Sequence, residues 1–82
     1  MNRYCIGKNI QRFRLFKGKK QETFAKEIGI SRVMLSRYEN GRSSVSIDKL
    51  RAIARVLEID LSELIREISI DNPETSLYNS NN

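Results

Sequence analysis

Apolar residues along this chain recur at spacings of three and four and nowhere alternate, so the pattern predicts helices and argues for no strand. Ile6, Ile10 and Phe13 form a first stripe and predict a helix from about Ile6 to Lys17, stopped by Gly18 just past a basic last turn. Phe24 and Ile28 mark a second helix from Gln21 to Ile28. Leu35 and Tyr38 mark a third from Arg32 to Asn40, closed by Gly41. Arg42 to Val45 reads as a loop. Ser46 then caps a fourth helix, in which Ile47, Leu50, Ile53, Ala54 and Leu57 share one face. Asp60, with Glu63 three residues on, is a variant of the capping box. It starts a fifth helix with the stripe Leu61, Leu64, Ile65 and Ile68. From about Ser69 the pattern stops. The remainder is rich in Asn, Ser and Thr, holds the only proline, and reads as a flexible tail whose bulky apolar residues after Pro73 are Leu77 and Tyr78. The expected organisation is one domain over residues 1–68 and a polar tail over 69–82.

The junction of the second and third helices carries the most information. Gly29 lies just past the last periodic residue of the second helix, where a left-handed backbone suits glycine. Ile30 plugs the turn, Ser31 caps the third helix, and Ala25 sits where the two helices cross. Two short helices joined by such a three-residue turn read as a helix-turn-helix, whose second helix is shaped to enter the DNA major groove.

Charge sharpens this reading. The formal net charge is +5, but it is uneven: residues 1–42 hold eleven Lys/Arg against three Glu, while residues 43–82 hold four against seven Asp/Glu. Basic charge therefore gathers in the half that carries the helix-turn-helix, as in a polyanion binder. Other classes lose ground. There is no His, and the single Cys5 can form neither an internal disulfide nor a metal site alone; it reads as a half-buried small apolar residue in a reducing cytoplasm. No cofactor is expected, and catalysis has no support, since the carboxylates fall on ordinary helix surface and Gly7, Gly18, Gly29 and Gly41 punctuate helices without forming a phosphate loop. No apolar run approaches the roughly 18 residues of a membrane span. Met1 to Cys5 leads straight into a helical pattern, so no export signal is expected.

An ordered set of short signatures completes the picture. Ile10-Gln11-Arg12-Phe13-Arg14, Lys17-Gly18, Gln21-Glu22, Ala25, Gly29-Ile30-Ser31-Arg32 and Tyr38-Glu39-Asn40-Gly41 precede the helix-four pattern and the Leu61 to Ile65 segment. Together they resemble the xenobiotic-response-element-like (Cro/C1-type) helix-turn-helix family over about residues 6 to 68. That family includes lambdoid phage repressors, restriction–modification controller proteins and antitoxin-type regulators. The resemblance implies an all-α, five-helix, lambda-repressor-like domain that binds double-stranded DNA.

By the same resemblance, Arg32, Val33 and Arg37 reach base edges from the third helix. Arginines can pair bidentately with guanine, for about 1–3 kcal/mol of discrimination, and a valine suits a thymine methyl. Gln21, Ser31, Ser36, Asn40, Arg42 and Ser43 match phosphate or auxiliary contacts, with Ser44 adding weaker ones. Met34 either packs beneath the helix or meets the DNA backbone. Arg14 and Glu39 match a partly buried ion pair between the first and third helices. Two departures stand out. Lys19 and Lys20 replace an apolar residue and a cap before Gln21, so the second helix lacks its usual cap while phosphate affinity rises at that edge. Leu15 and Phe16 occupy places that are commonly polar, and Phe16 is expected to fill the space near residue 19. The function implied is a cytoplasmic transcriptional regulator that reads a pseudo-palindromic operator as a homodimer. Leu61, Leu64, Ile65 and Ile68 are the expected dimer interface, unless the same stripe closes the monomer core, wholly or in part. The alternative is an antitoxin-type regulator whose main role is to bind a protein partner.

Overall fold

A computed structural model describes residues 2–67 and arranges them as five helices: α1 (Arg3–Phe16), α2 (Gln21–Glu27), α3 (Arg32–Glu39), α4 (Ile47–Leu57) and α5 (Leu61–Ile65). The all-helical expectation holds, and there is no strand among the described residues. α1 is the hub, packing against α3, α4 and α5, while α2 leans on α3 and α5 closes onto α4. Ile6, Ile10, Phe24, Leu35, Leu50, Ile53, Leu57 and Leu64 form the fully enclosed centre, with Ala25 at the close approach of α2. Val45 also enters the core from the α3–α4 loop.

Capping explains most of the boundaries. α1 starts at Arg3, earlier than its apolar stripe suggests, because the Asn2 side chain accepts from the Tyr4 and Cys5 amides at 2.8 and 3.3 Å. Ser31 Oγ accepts from the Met34 amide at 3.0 Å, and Ser46 Oγ from that of Lys49 at 3.2 Å, as the sequence predicts. Lys20 precedes α2 without a side-chain cap. Gly29 turns the chain with φ of 76°, a value glycine adopts freely.

Several expectations are corrected. Gly7 does not punctuate a helix; it lies inside α1, where an added Cβ would collide with the carbonyl oxygens of Tyr38 and Glu39. Its bareness lets α1 rest directly on the end of α3. Asp60 precedes α5 but makes no side-chain cap, so the capping box does not form; the Glu63 amide bonds instead to the Asp60 carbonyl. α5 ends at Ile65, short of Ile68, because the Asn9 side chain takes the carbonyls of Leu64 and Arg66, each at 2.8 Å. Leu64 is fully enclosed and closes the monomer core, so it has no surface left for a partner, whereas Leu61 and Ile65 are only half-buried. Ile47 points outward rather than into the α4 stripe, Cys5 is buried rather than half-buried, and Phe16 is exposed and fills no gap near Lys19. Ile68 and the tail over 69–82, with Leu77 and Tyr78, lie outside the described residues.

Candidate nucleic-acid interface

α3 separates cleanly into two sides. Leu35, Tyr38 and Glu39 face inward and are buried, while Ser31, Arg32, Val33, Met34, Arg37 and Asn40 are exposed and Ser36 is half-exposed. Val33 is 62% exposed, a β-branched apolar side chain that the core does not use. Met34 is 36% exposed and lies outside the core.

The inner side is anchored by charge. Arg14 Nε donates to Glu39 Oε2 at 2.6 Å and its Nη2 to Oε1 at 3.1 Å, a forked pair with both side chains almost wholly buried. The remaining Nη1 donates to the Lys19 carbonyl at 2.8 Å. One guanidinium thus ties α1 to α3 and to the lead-in of α2. Charge-assisted forked bonds of this type are stronger and more directional than neutral ones.

The pair then reaches the surface through Gln21. Gln21 Nε2 donates to Glu39 Oε1 at 2.9 Å, and Gln21 Oε1 accepts from Arg32 Nη1 at 3.3 Å. A continuous polar chain therefore runs from the core to the exposed arginine that begins α3. The family resemblance implies a phosphate contact for Gln21; here both ends of its amide bond to protein groups. The distant arms of the chain meet here only because α1 brings Arg14 beneath both helices, a relation that residue spacing cannot reveal.

At the other end of α3, Arg37 is held by the loop that follows. Its Nε donates to Ser43 Oγ at 2.8 Å and its Nη2 to the Arg42 carbonyl at 3.3 Å. Asn40 Nδ2 folds back onto the Ser36 carbonyl at 2.8 Å. Lys19 pairs with Glu27 at 3.1 Å, whereas Lys20, Arg32, Arg37 and Arg42 are exposed and form no ion pair among the described residues. The result is a solvent-facing helix with Gln21 and Arg32 together at its start and Arg37, Arg42 and Ser43 together at its end. An exposed helix so flanked by cations matches the shape and charge of a duplex groove.

Known proteins bear on this arrangement. A helix-turn-helix family model matches residues 10–64. The chain belongs to the helix-turn-helix family. It is 41% identical over 68 residues to the antitoxin PezA of Streptococcus pneumoniae, an alignment covering 83% of this chain and 43% of PezA. It is 44% identical over 48 residues to the control protein C.MunI of a Mycoplasma species, covering 58% of this chain and 65% of that one. The chain thus spans less than two thirds of either curated relative. Among solved structures, the restriction–modification controller protein C.AhdI of Aeromonas hydrophila superposes with a TM-score of 0.73 and 30% identity, over 77% of this chain and 91% of that one. The Cro/C1-type resemblance drawn from the sequence and the five-helix architecture both hold.

Residues that the sequence missed share one trait: they are polar or small at positions inside an apolar stripe. Asn9 stands between Ile6 and Phe13 at helical spacing, and Gly7 is a glycine in mid-helix. Either could have been flagged as a break in the pattern. Gln21 carried a signal, and the structure adds its bonds to Glu39 and Arg32. No helix among the described residues is long and apolar enough to cross a membrane.

Proposed function

We propose that this chain is a cytoplasmic transcriptional regulator that binds double-stranded DNA by inserting α3 into the major groove. The observation that carries this reading is the outer side of α3, where Val33 is exposed and Arg32 is braced from within by Gln21 and the buried Arg14–Glu39 pair. Arg32, Val33 and Arg37 face the base edges, and Lys19, Lys20, Ser31, Ser36, Asn40, Arg42 and Ser43 line the phosphates around them. A single helix-turn-helix contacts few base pairs. Two copies would bind a pseudo-palindrome with half-sites about 34 Å apart. The half-buried Leu61 and Ile65 on α5 are the residues proposed to pair the subunits.

Selection of bound sequences from randomised duplexes at physiological salt tests this reading. The expected result is a two-fold-related motif, with Arg32→Ala losing preference at one base pair in each half-site. Raising the salt should weaken binding steeply. Recovery of no motif from the wild-type chain would remove sequence-specific regulation. The likeness to an antitoxin supports a second reading, in which a protein partner is the main target and DNA binding is secondary.

A further inference from the structure

The helix α1 has an outer face that the fold leaves uncovered and that the DNA-binding reading does not use. α1 carries Arg3, Lys8, Arg12 and Arg14 and no acidic residue. Its inner face is occupied by the core. On the opposite side Tyr4, Lys8, Arg12 and Leu15 follow one another at spacings of three and four, with Phe16 beside Leu15. Tyr4 is 46% exposed, Leu15 60% and Phe16 83%. Single exposed apolar residues are ordinary, but a neighbouring Leu and Phe left this open on so small a domain are a candidate interaction site. The two cations between the apolar ends are held against the helix. Lys8 Nζ lies 5.7 Å from the centre of the Tyr4 ring, and the Arg12 guanidinium lies 5.2 Å from that of Phe13 while donating to Asn9 Oδ1 at 3.1 Å. Neither forms an ion pair among the described residues.

We propose that this face docks an acidic amphipathic helix of a partner protein. The spacing defines the ligand. Tyr4 and the Leu15–Phe16 pair stand roughly 18 Å apart along the helix, at 1.5 Å per residue, with only positive charge between them. A partner segment of three to four turns, apolar at both ends and rich in Asp or Glu between, matches this face in charge and in length. A second copy of the chain does not match, because two α1 faces would oppose cation to cation. A bilayer asks for a continuous apolar stripe, and the continuous stripe of α1 already lies in the core.

The 82-residue chain, titrated with a synthetic helical peptide bearing Leu at both ends and Glu between, tests the proposal by fluorescence anisotropy and amide chemical-shift mapping. Saturable binding is expected, with shifts along α1 and none centred on α3. The Leu15→Ser/Phe16→Ser variant should bind the peptide at least tenfold more weakly, at unchanged melting temperature and unchanged affinity for the selected duplex. Lys8→Glu should weaken the peptide as well, and a peptide with Lys in place of Glu should not bind. No binding, equal binding by the serine variant, or shifts centred on α3 would overturn the proposal. Binding to phosphatidylserine vesicles without peptide binding would assign the face to a membrane instead. Self-association lost on Leu15→Ser/Phe16→Ser, without peptide binding, would assign it to a second copy.

Discussion

Arg14 and Asn9, both buried on α1, hold opposite halves of the molecule by different chemistry. Arg14 brings a charge inside and pairs it with the charge of Glu39, and through Gln21 the pair extends to the outer side of α3. Asn9 brings only a neutral amide, with which it stops α5 and fixes the strand of chain after it. The contrast separates two kinds of anchoring. A buried ion pair contributes little net stability when intact but is very unfavourable to break, because the surviving charge is left without solvent or partner. A buried amide bonded to two carbonyls contributes modestly, and its loss is felt where those carbonyls are. The half that presents α3 is thus locked all or nothing, while the half that carries α5 is held by bonds whose loss stays local.

The largest effect should follow from Arg14→Ala. Glu39 would remain buried without its guanidinium, and the Lys19 carbonyl would lose a donor, at a cost of about 3–5 kcal/mol. In a domain of this size each kcal/mol lowers the melting temperature by about 4–8 °C. A fall well beyond ten degrees is therefore expected on that scale, readable by circular dichroism. An unchanged melting temperature would show that the pair is not the anchor of α3.

Asn9→Ala should cost less, about 1–3 kcal/mol for two carbonyls left without donors. Its signature is spatial. Amide exchange should accelerate first in α5 and at the residues after it, while protection in α3 persists, since local opening draws on the contacts of one segment. Should α3 amides lose protection in step with those of α5, the two halves form one cooperative unit and the contrast fails. If the α5 residues Leu61 and Ile65 pair the subunits, the same variant also weakens dimerisation without changing which bases are preferred.

The two anchors also differ in how far the sequence discloses them. Arg14 and Glu39 are legible as a pair through the ordered motif around them, although nothing in their 25-residue separation fixes a distance. The helices, the Gly29 turn and the caps at Ser31 and Ser46 are equally legible, because each depends on residues within one turn of itself. Asn9, Gly7 and the end of α5 are not. Asn9 acts on carbonyls 55 and 57 residues away, and Gly7 matters only because the end of α3 lies against it. Glu58 shows the same limit in another form. It ends α4 in the left-handed region with φ of 61°, where pattern reasoning looks for Gly. Local rules place elements; a contact formed by tertiary packing leaves in the sequence only a residue that does not fit its stripe.

Gln21→Ala should have the smallest effect on stability and the most selective effect on function. Glu39 keeps its forked bonds to Arg14, so the loss is about 1 kcal/mol for one hydrogen bond. What changes is Arg32, which loses the acceptor that orients its guanidinium. If the strut is the working role, selection from randomised duplexes should show preference relaxing at the base pair read by Arg32, with the salt dependence of binding unchanged. If Gln21 instead bonds a phosphate, affinity should fall evenly across all sequences while the motif stays intact, since phosphate contacts position a protein and carry no base information. Arg32→Ala supplies the reference: in the first case the double variant Gln21→Ala/Arg32→Ala has the motif of Arg32→Ala alone, because the strut acts only through the arginine it holds. In the second case the two losses add. The outcome decides whether the buried charge pair of α1 and α3 extends its order to the DNA or ends at the surface of the core.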